Sequence, residues 1–456
     1  MAHVIKTLKK DWATYGGSTI MTLILVYGAQ GFRSFGSTAR TLYFKNKFSL
    51  DPSELPLVSA SITVAWYIKP LYGLISDSFP LFGYRRKSYI VILGLIGVIS
   101  YATILISENL FLSILALILG ELSQAGIDVI CDGYMIEKAR IDPEHGANDL
   151  QRISWSSLFL ASIIGLLVGG NAADYVDPKY LLAMLAICPV LVLISAGILD
   201  EKREIKQENY SSLKELKSKV SILCKEVVKV KVLKILSFVI LWQSSMLIFG
   251  DIFTYYLYDV IEISPSTVSY YSLTGYIGAF IGTVIASKHL INIPLVWKLA
   301  LGRVLNSVIL LFDIVILTSY YKVIGLSYLW FLFGPSALGS AIDSLLGRMP
   351  LLVIFADITP KHIEATFFAL LASVYNVGSS ISEIFISAIM NGTGITDSTM
   401  PNVWVLTVIS IVVGILSLVI LFILPNEENK KITTAQDDFE NSAKILEEPL
   451  ISKTHN

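Results

Sequence analysis

Charge is what this 456-residue sequence has least of. Only 16% of its residues are Asp, Glu, Lys or Arg, against roughly 25% in an ordinary soluble domain. A net charge of −1 and a pI near 6.5 exclude the broad basic surface that nucleic acid requires. Cysteine is scarce as well. Cys131, Cys188 and Cys224 stand far apart with no CxxC pair, so neither a disulfide framework nor a cysteine zinc site is supported. His3, His145, His289, His362 and His455 all fall outside the apolar segments. HExxH, GxSxG and GxxxxGKS/T are missing, which leaves zinc hydrolysis, serine esterase chemistry and ATP drive without their residues. Neither an enzyme nor a cofactor or metal is expected. A cleavable signal peptide is not expected: Lys6, Lys9, Lys10 and Asp11 precede an apolar run long enough to span.

What the chain does have is apolar length, with 54% hydrophobic residues and a mean hydropathy of +0.66. A hydrocarbon layer about 30 Å thick takes about 20 apolar residues per helical crossing. Twelve such stretches recur: Gly17–Phe35, Leu55–Ile75, Tyr89–Ile106, Leu110–Met135, Ile153–Ala173 and Leu181–Leu199, then Ile235–Leu257, Val268–Ser287, Leu295–Leu317, Tyr328–Phe355, Thr366–Met390 and Val403–Leu424. Between the two sixes, Asp200–Lys234 carries ten Lys/Arg and six Asp/Glu. The expected architecture is an all-α integral membrane protein of twelve transmembrane helices in two six-helix halves. Residues 17–199 form one half and 235–425 the other, with a tail at 1–16, a linker at 200–234 and a polar, disordered tail at 426–456.

Lys and Arg set the orientation. The N-terminal tail, Arg85-Arg86-Lys87, Lys138, Arg140, Arg152, the linker, Lys288, Lys361 and the C-terminal tail share one side, which is read as cytoplasmic. One opposing loop, Thr38–Glu54, runs against this pattern with Arg40, Lys45 and Lys47.

The most specific stretch is Lys69–Lys87, KPLYGLISDSFPLFGYRRK. Gly73, Asp77, Gly83, Arg85, Arg86 and Lys87 stand in it as the loop signature of the major facilitator superfamily does between spans two and three. With the inserted Ser78-Phe79-Pro80-Leu81-Phe82, it resembles the hallmark of the folate–biopterin transporter family, a branch of that superfamily. Asp128–Arg140 (DVICDGYMIEKAR), Asp149–Arg152 with Trp155, and Pro360–Gly378 (PKHIEATFFALLASVYNVG) agree in order. The resemblance runs from Gly28 to about Met390. It implies two halves rocking about a midplane site, a loop that latches the cytoplasmic face, and Glu364 as a cap or latch at the eleventh helix. The implied cargo is folate, biopterin or a related pterin, carried by secondary active transport with protons as a candidate coupling ion. Another small organic metabolite, or a receptor that binds without flux, is the alternative. The expected partners are that cargo and the lipid bilayer, the expected state a monomer, and the expected location the plasma membrane, with an organelle membrane as the alternative.

Ionisable groups inside spans are costly and so become candidate site residues. Glu121, Asp128 and Asp132 lie at i, i+7 and i+11, along one helix face. A pterin offers adjacent N–H donors that a carboxylate accepts in parallel, and a desolvated carboxylate can also carry a proton. Pairing with Lys69, Arg152 or Lys138 that only holds helices together is the third reading, and all three stay open. Arg33, Arg303 and Arg348 are the cationic candidates. The last two suit the two carboxylates of a folate glutamate tail, with Asp313, Asp343 or Asp251 as structural partners instead. Lys69 is expected to snorkel from the cytoplasmic end. Asn376 is a candidate hydrogen-bonding group, and Asp251 and Glu383 are further polar positions in the second half. Most tyrosines from Tyr255 to Tyr276 are expected in an interfacial belt.

Overall fold

The computed structural model describes residues 10–139, 141–142, 146–203, 212–247, 249–289, 293–358, 364–395, 400 and 402–424. Hydrocarbon offers no hydrogen-bond partner, so each crossing segment must satisfy its own backbone, and these apolar runs coil as helices. Eight stretches are long and apolar enough to cross a membrane: Lys87–Ile106, Leu110–Ala139, Asp149–Ala172, Pro178–Ile198, Leu295–Leu317, Tyr328–Leu351, Thr366–Thr393 and Trp404–Ile423. They are the third to sixth and ninth to twelfth spans. The eighth is one helix, Pro265–His289. The remaining three spans are broken. The described residues thus hold twelve spans, six on each side of a mostly exposed helix, Ser212–Val227. Apolar side chains such as Ile99 and Phe422, 62% and 89% exposed, cover outward faces where lipid would lie.

The breaks have local causes. The first span runs Gly17–Phe32, tightens to a 3-10 turn at Arg33–Gly36, and resumes at Ser37–Phe48. Ser34 donates its hydroxyl to the Ser162 carbonyl of the fifth span at 2.8 Å within that turn. The second runs Leu55–Ile62, a 3-10 turn at Thr63–Trp66, then Lys69–Ser78. The seventh is Val230–Ser244 and Gly250–Asp259. Ser244 and Ser245 back-bond to the carbonyls of Ile240 and Trp242, both at 2.7 Å, at its break. In the tenth span, Pro350 supplies no N–H to the Leu346 carbonyl, and the helix widens to π turns at Asp343–Arg348.

The first span is longer than expected. Its three pieces, of 16, 4 and 12 residues, cover roughly 48 Å at 1.5 Å per residue, which carries Lys45 and Lys47 past the hydrocarbon. Residues 38–48 are therefore helix and not loop, and their cations are engaged. Lys45 meets Asp259 at 2.5 Å and lies over the rings of Tyr255 and Tyr258, 5.0 and 4.4 Å from their centroids. Lys47 donates to the Ser107 carbonyl and pairs with Glu108 at 3.3 Å. Lys47 first, and Lys179 after it, hold the exposed Glu108 carboxyl below its ordinary range. Tyr255 and Tyr256 are buried rather than interfacial, and Tyr256 donates to the Leu317 carbonyl at 3.0 Å.

Two kinds of contact build the bundle. Within a half, small residues let backbones touch. Gly169 of the fifth span lies against the backbone of Phe35, and Gly278 of the eighth against the carbonyl of Ala337 in the tenth. Between the halves Gly170 lies against the Ser269 side chain and Phe159 meets Phe280 edge to face, beside polar ties: Thr38 to Ser269 at 2.9 Å, Asp174 to the Ser266 N–H at 3.0 Å, Tyr270 to Asn171 at 3.0 Å, and Lys45 to Asp259. These ties lie toward the end opposite the basic residues 85–87, 138 and 152.

A side chain at 278 has no room, because its Cβ would stand 2.7 Å from the Ala337 carbonyl carbon, whereas nothing lies within 4 Å at Gly28. Overpacking costs about 1–3 kcal/mol. Gly278→Ala should lower the melting temperature of the purified protein, and Gly28→Ala should not. Equal melting of both variants would contradict this packing.

Candidate functional site

The fourth span does present Glu121, Asp128 and Asp132 on one face, and each carboxylate meets a partner from the first or second span. Glu121 pairs with Arg33, and its other oxygen accepts the Trp66 indole N–H at 2.7 Å. Arg33 sits in the 3-10 turn, in the middle of the first span rather than at its end. Lys69 reaches Asp128 at 2.7 Å, with side chains only 9% and 10% exposed, and stands 5.2 Å from the Trp66 ring centroid. Lys69 therefore does not snorkel. The helix restarts at Lys69 after the 3-10 turn, which points its side chain into the bundle beside a carboxylate. Asp132 accepts the Tyr27 hydroxyl at 2.5 Å. Arg152 binds Asp11 and Asp149 instead, at 2.9 and 3.1 Å, and the Lys138 ammonium lies 5.3 Å from the centroid of the Tyr134 ring.

The second half is arranged differently. Arg303 is buried, donates to the Trp242 carbonyl at 2.9 Å, and stacks 4.1 Å from the centroid of its ring. It makes no ion pair with a described residue. Arg348 takes Asp343 at 3.5 Å. Asp251 turns to the first half, accepting from Ser59 at 2.5 Å and Thr41 at 3.1 Å, with Arg40 at 3.9 Å. Two cavities open beside these groups. One, of about 260 Å³, is lined by Arg303, Asn306, Asp313 and Asp343 among others. The second, of about 270 Å³, lies between the halves and is lined by Arg40, Thr41, Asp251 and Glu383. Asn376 is half-buried in the eleventh helix and lines neither cavity. Among the described residues, no cluster of His, Cys, Asp and Glu could hold a metal ion.

The signature loop closes in a two-residue turn. Leu81 and Tyr84 exchange backbone hydrogen bonds at 3.0 and 2.9 Å, with φ of +54° at Phe82 and +84° at Gly83. Glycine is needed at 83 both for that φ and because the Arg203 side chain packs over it. The third helix begins at Lys87, so its first N–H groups lack intrahelical partners. Glu201 fills that need, accepting from the backbone N–H groups of Arg85, Arg86 and Lys87 at 2.8, 3.0 and 2.8 Å. The sequence showed Glu201 only as one charge of a charged linker, and nothing in its neighbours marks it as a cap. Arg86 donates to the Ser76 hydroxyl at 3.2 Å. Gly73 lies where the second span meets Val129 and Thr366. The side chains of Asp77 and Glu364 lie outside the described residues.

A buried pair is worth little net, but removing one partner strands a charge at a cost of about 3–5 kcal/mol. Lys69→Met and Asp128→Asn should each lower the melting temperature strongly, and the double variant should recover most of the loss. Additive losses would show that the pair is not coupled.

With the geometry in view, the comparisons with known proteins are consistent. A nucleoside transporter structure, NupG, superposes with a TM-score of 0.70 at 12% identity, over 90% of this chain and 100% of that one. A D-xylose–proton symporter gives 0.66 at 14%, over 90% and 98%. The fold is therefore of major facilitator type. Among curated relatives, "Probable folate-biopterin transporter 4" of Arabidopsis thaliana is 24% identical over 94% of this chain and 99% of its own length. "Folate-biopterin transporter" of Synechocystis sp. is 25% identical over 92% and 84%. "Folate transporter 1" of Plasmodium falciparum is 23% identical over 89% and 79%. The BT1 family model matches residues 30–444, nearly the whole chain, and the protein belongs to that family.

Proposed function

We propose that this protein is a secondary active transporter that carries folate, biopterin or a related pterin across a membrane by alternating access, driven by protons. The observation that carries the reading is Arg303: a buried guanidinium beside a cavity, held by a carbonyl and a ring and in no ion pair with a described residue, with Asp313 and Asp343 elsewhere on the cavity wall. A charge left so in hydrocarbon is stabilised by an anionic ligand, and folate brings two carboxylates. The names of the relatives point to the same cargo.

The N-terminal half supplies the coupling group. Asp128 has Lys69 for its counter-charge, while Asp132 has only a phenol and shares that lysine from farther away. Two carboxylates with one cation leave one negative charge in surplus, and a proton at Asp132 balances it. Arg33 and Glu121 hold the frame, and Arg348, engaged by Asp343, stands beside the cargo path. Gly73, Asp77, Gly83, Arg85, Arg86, Lys87 and Glu364 form the gate at the cytoplasmic mouth, with Glu201 as the clasp between loop and linker. Both termini face the cytoplasm, and the plasma membrane is the proposed location, the protein acting as a monomer.

Proteoliposomes bearing the protein should take up labelled folate, compete with unlabelled biopterin, and accumulate label under an inward proton gradient. Asp132→Asn should abolish that accumulation while sparing binding and counterflow exchange. Normal gradient-driven uptake by the variant removes Asp132 from coupling, and failure to bind or carry any pterin removes the cargo assignment. For topology, in a Cys224→Ser background, Ser211→Cys should resist impermeant thiol reagents in intact cells and Thr396→Cys should react. Labelling of Ser211→Cys from outside would invert the proposed orientation.

A further inference from the structure

The two cavities share three lining residues, Phe249, Gly250 and Tyr271. Their volumes are about 270 and 260 Å³. Sites for drug-sized ligands span about 300–1,000 Å³, a range that neither chamber reaches alone and both reach together. The partition falls at the interruption of the seventh span, between the helices ending at Ser244 and starting at Gly250. Irregular backbone at membrane depth is tolerated where it borders a cavity, and broken helices mark carrier binding sites.

Each chamber is lined by one arginine and two carboxylates, and the two differ in which of these groups is left without a direct partner. On one side Glu383 carries a buried Oε2 that accepts no hydrogen bond. Its neighbour Asp251 is already occupied by Ser59 and Thr41 and has Arg40 close by, so Glu383 is the open acceptor there. On the other side Arg303 makes no ion pair with a described residue: of the carboxylates that share its chamber, Asp343 is taken by Arg348 and Asp313 is not within pairing distance. Between them stand the rings of Phe249 and Tyr271. A ligand that satisfies both orphans has N–H donors on a flat heteroaromatic ring at one end and carboxylates at the other.

We infer that the two cavities form one pteroylglutamate site, in which Glu383 accepts the adjacent N–H groups of the aminopyrimidinone edge and Arg303 takes a glutamate carboxylate. The inference rests on the transport reading above and deepens it: the head of the ligand lies at the interface of the halves, its tail inside the C-terminal half. Biopterin occupies the first chamber alone, and a benzoylglutamate the second.

Equilibrium binding of three probes to the purified full chain in detergent tests this: folate, biopterin and p-aminobenzoylglutamate. Charge-assisted hydrogen bonds set the scale of the effect at about ten- to a hundredfold. Glu383→Gln should weaken folate and biopterin by that factor and leave p-aminobenzoylglutamate within a few-fold. Arg303→Lys should weaken folate and p-aminobenzoylglutamate and leave biopterin within a few-fold. Glu383→Asp and Arg303→Gln, each checked by melting, serve as second variants should a first one not fold. Equal weakening of all three probes by either folded variant, or no weakening of any, overturns the two-chamber site while folate binding by the wild type keeps the transport reading. A wild type that binds none of the three overturns both.

Discussion

A charge in hydrocarbon has to be answered by another, and the N-terminal half is organised around that need. Moving an ion out of water costs several kcal/mol even after relaxation, and its partner repays this only with good geometry and further hydrogen bonds. Arg33, Glu121 and Trp66 meet that demand jointly, as do Lys69 and Asp128 under the same indole. Each set draws one residue from the fourth span and the rest from the first two. The carboxylate face of the fourth span thereby fixes how those three helices meet, and the 3-10 turns at Arg33–Gly36 and Thr63–Trp66 set the height at which their partners arrive.

The C-terminal half leaves the same demand partly unanswered. Asp343 is answered by Arg348, but Arg303 finds only a carbonyl and a ring, and Asp251 is answered from the other half. This asymmetry divides the labour. On the proposed reading, the first half pairs most of its charges and keeps one carboxylate, Asp132, for a proton, and the other keeps valences that cargo can fill.

The twelve spans and the division into sixes were legible because hydropathy is a property of local composition, and hydrocarbon filters composition span by span. The signature from Gly73 to Lys87 was legible for the same local reason. Arg40, Lys45 and Lys47 misled, since their neighbours in space, Asp251, Asp259 and Glu108, lie about 60 to 215 residues away in sequence. The breaks in the first, second and seventh spans escaped notice because 3-10 and α turns differ in hydrogen bonding and not in composition. Glu121, Asp128 and Asp132 could be placed on a face by counting residues, but which cation answers which carboxylate depends on how helices cross. Glu383 was visible as a polar position, while its orphaned oxygen is a property of the packed bundle.

The glycine contacts decide where the molecule is stiff. At Gly169 and Gly278 backbone meets backbone with no side chain between, so these helix pairs have almost no give. The seam between the halves has close packing too, at Gly170 against Ser269 and Phe159 against Phe280, but it is closed as well by hydroxyls, a carboxylate cap and a lysine, groups that water replaces at small net loss. Compliance is concentrated in that seam. Mechanical work done on this molecule would be spent in parting two rigid blocks and very little in bending either one.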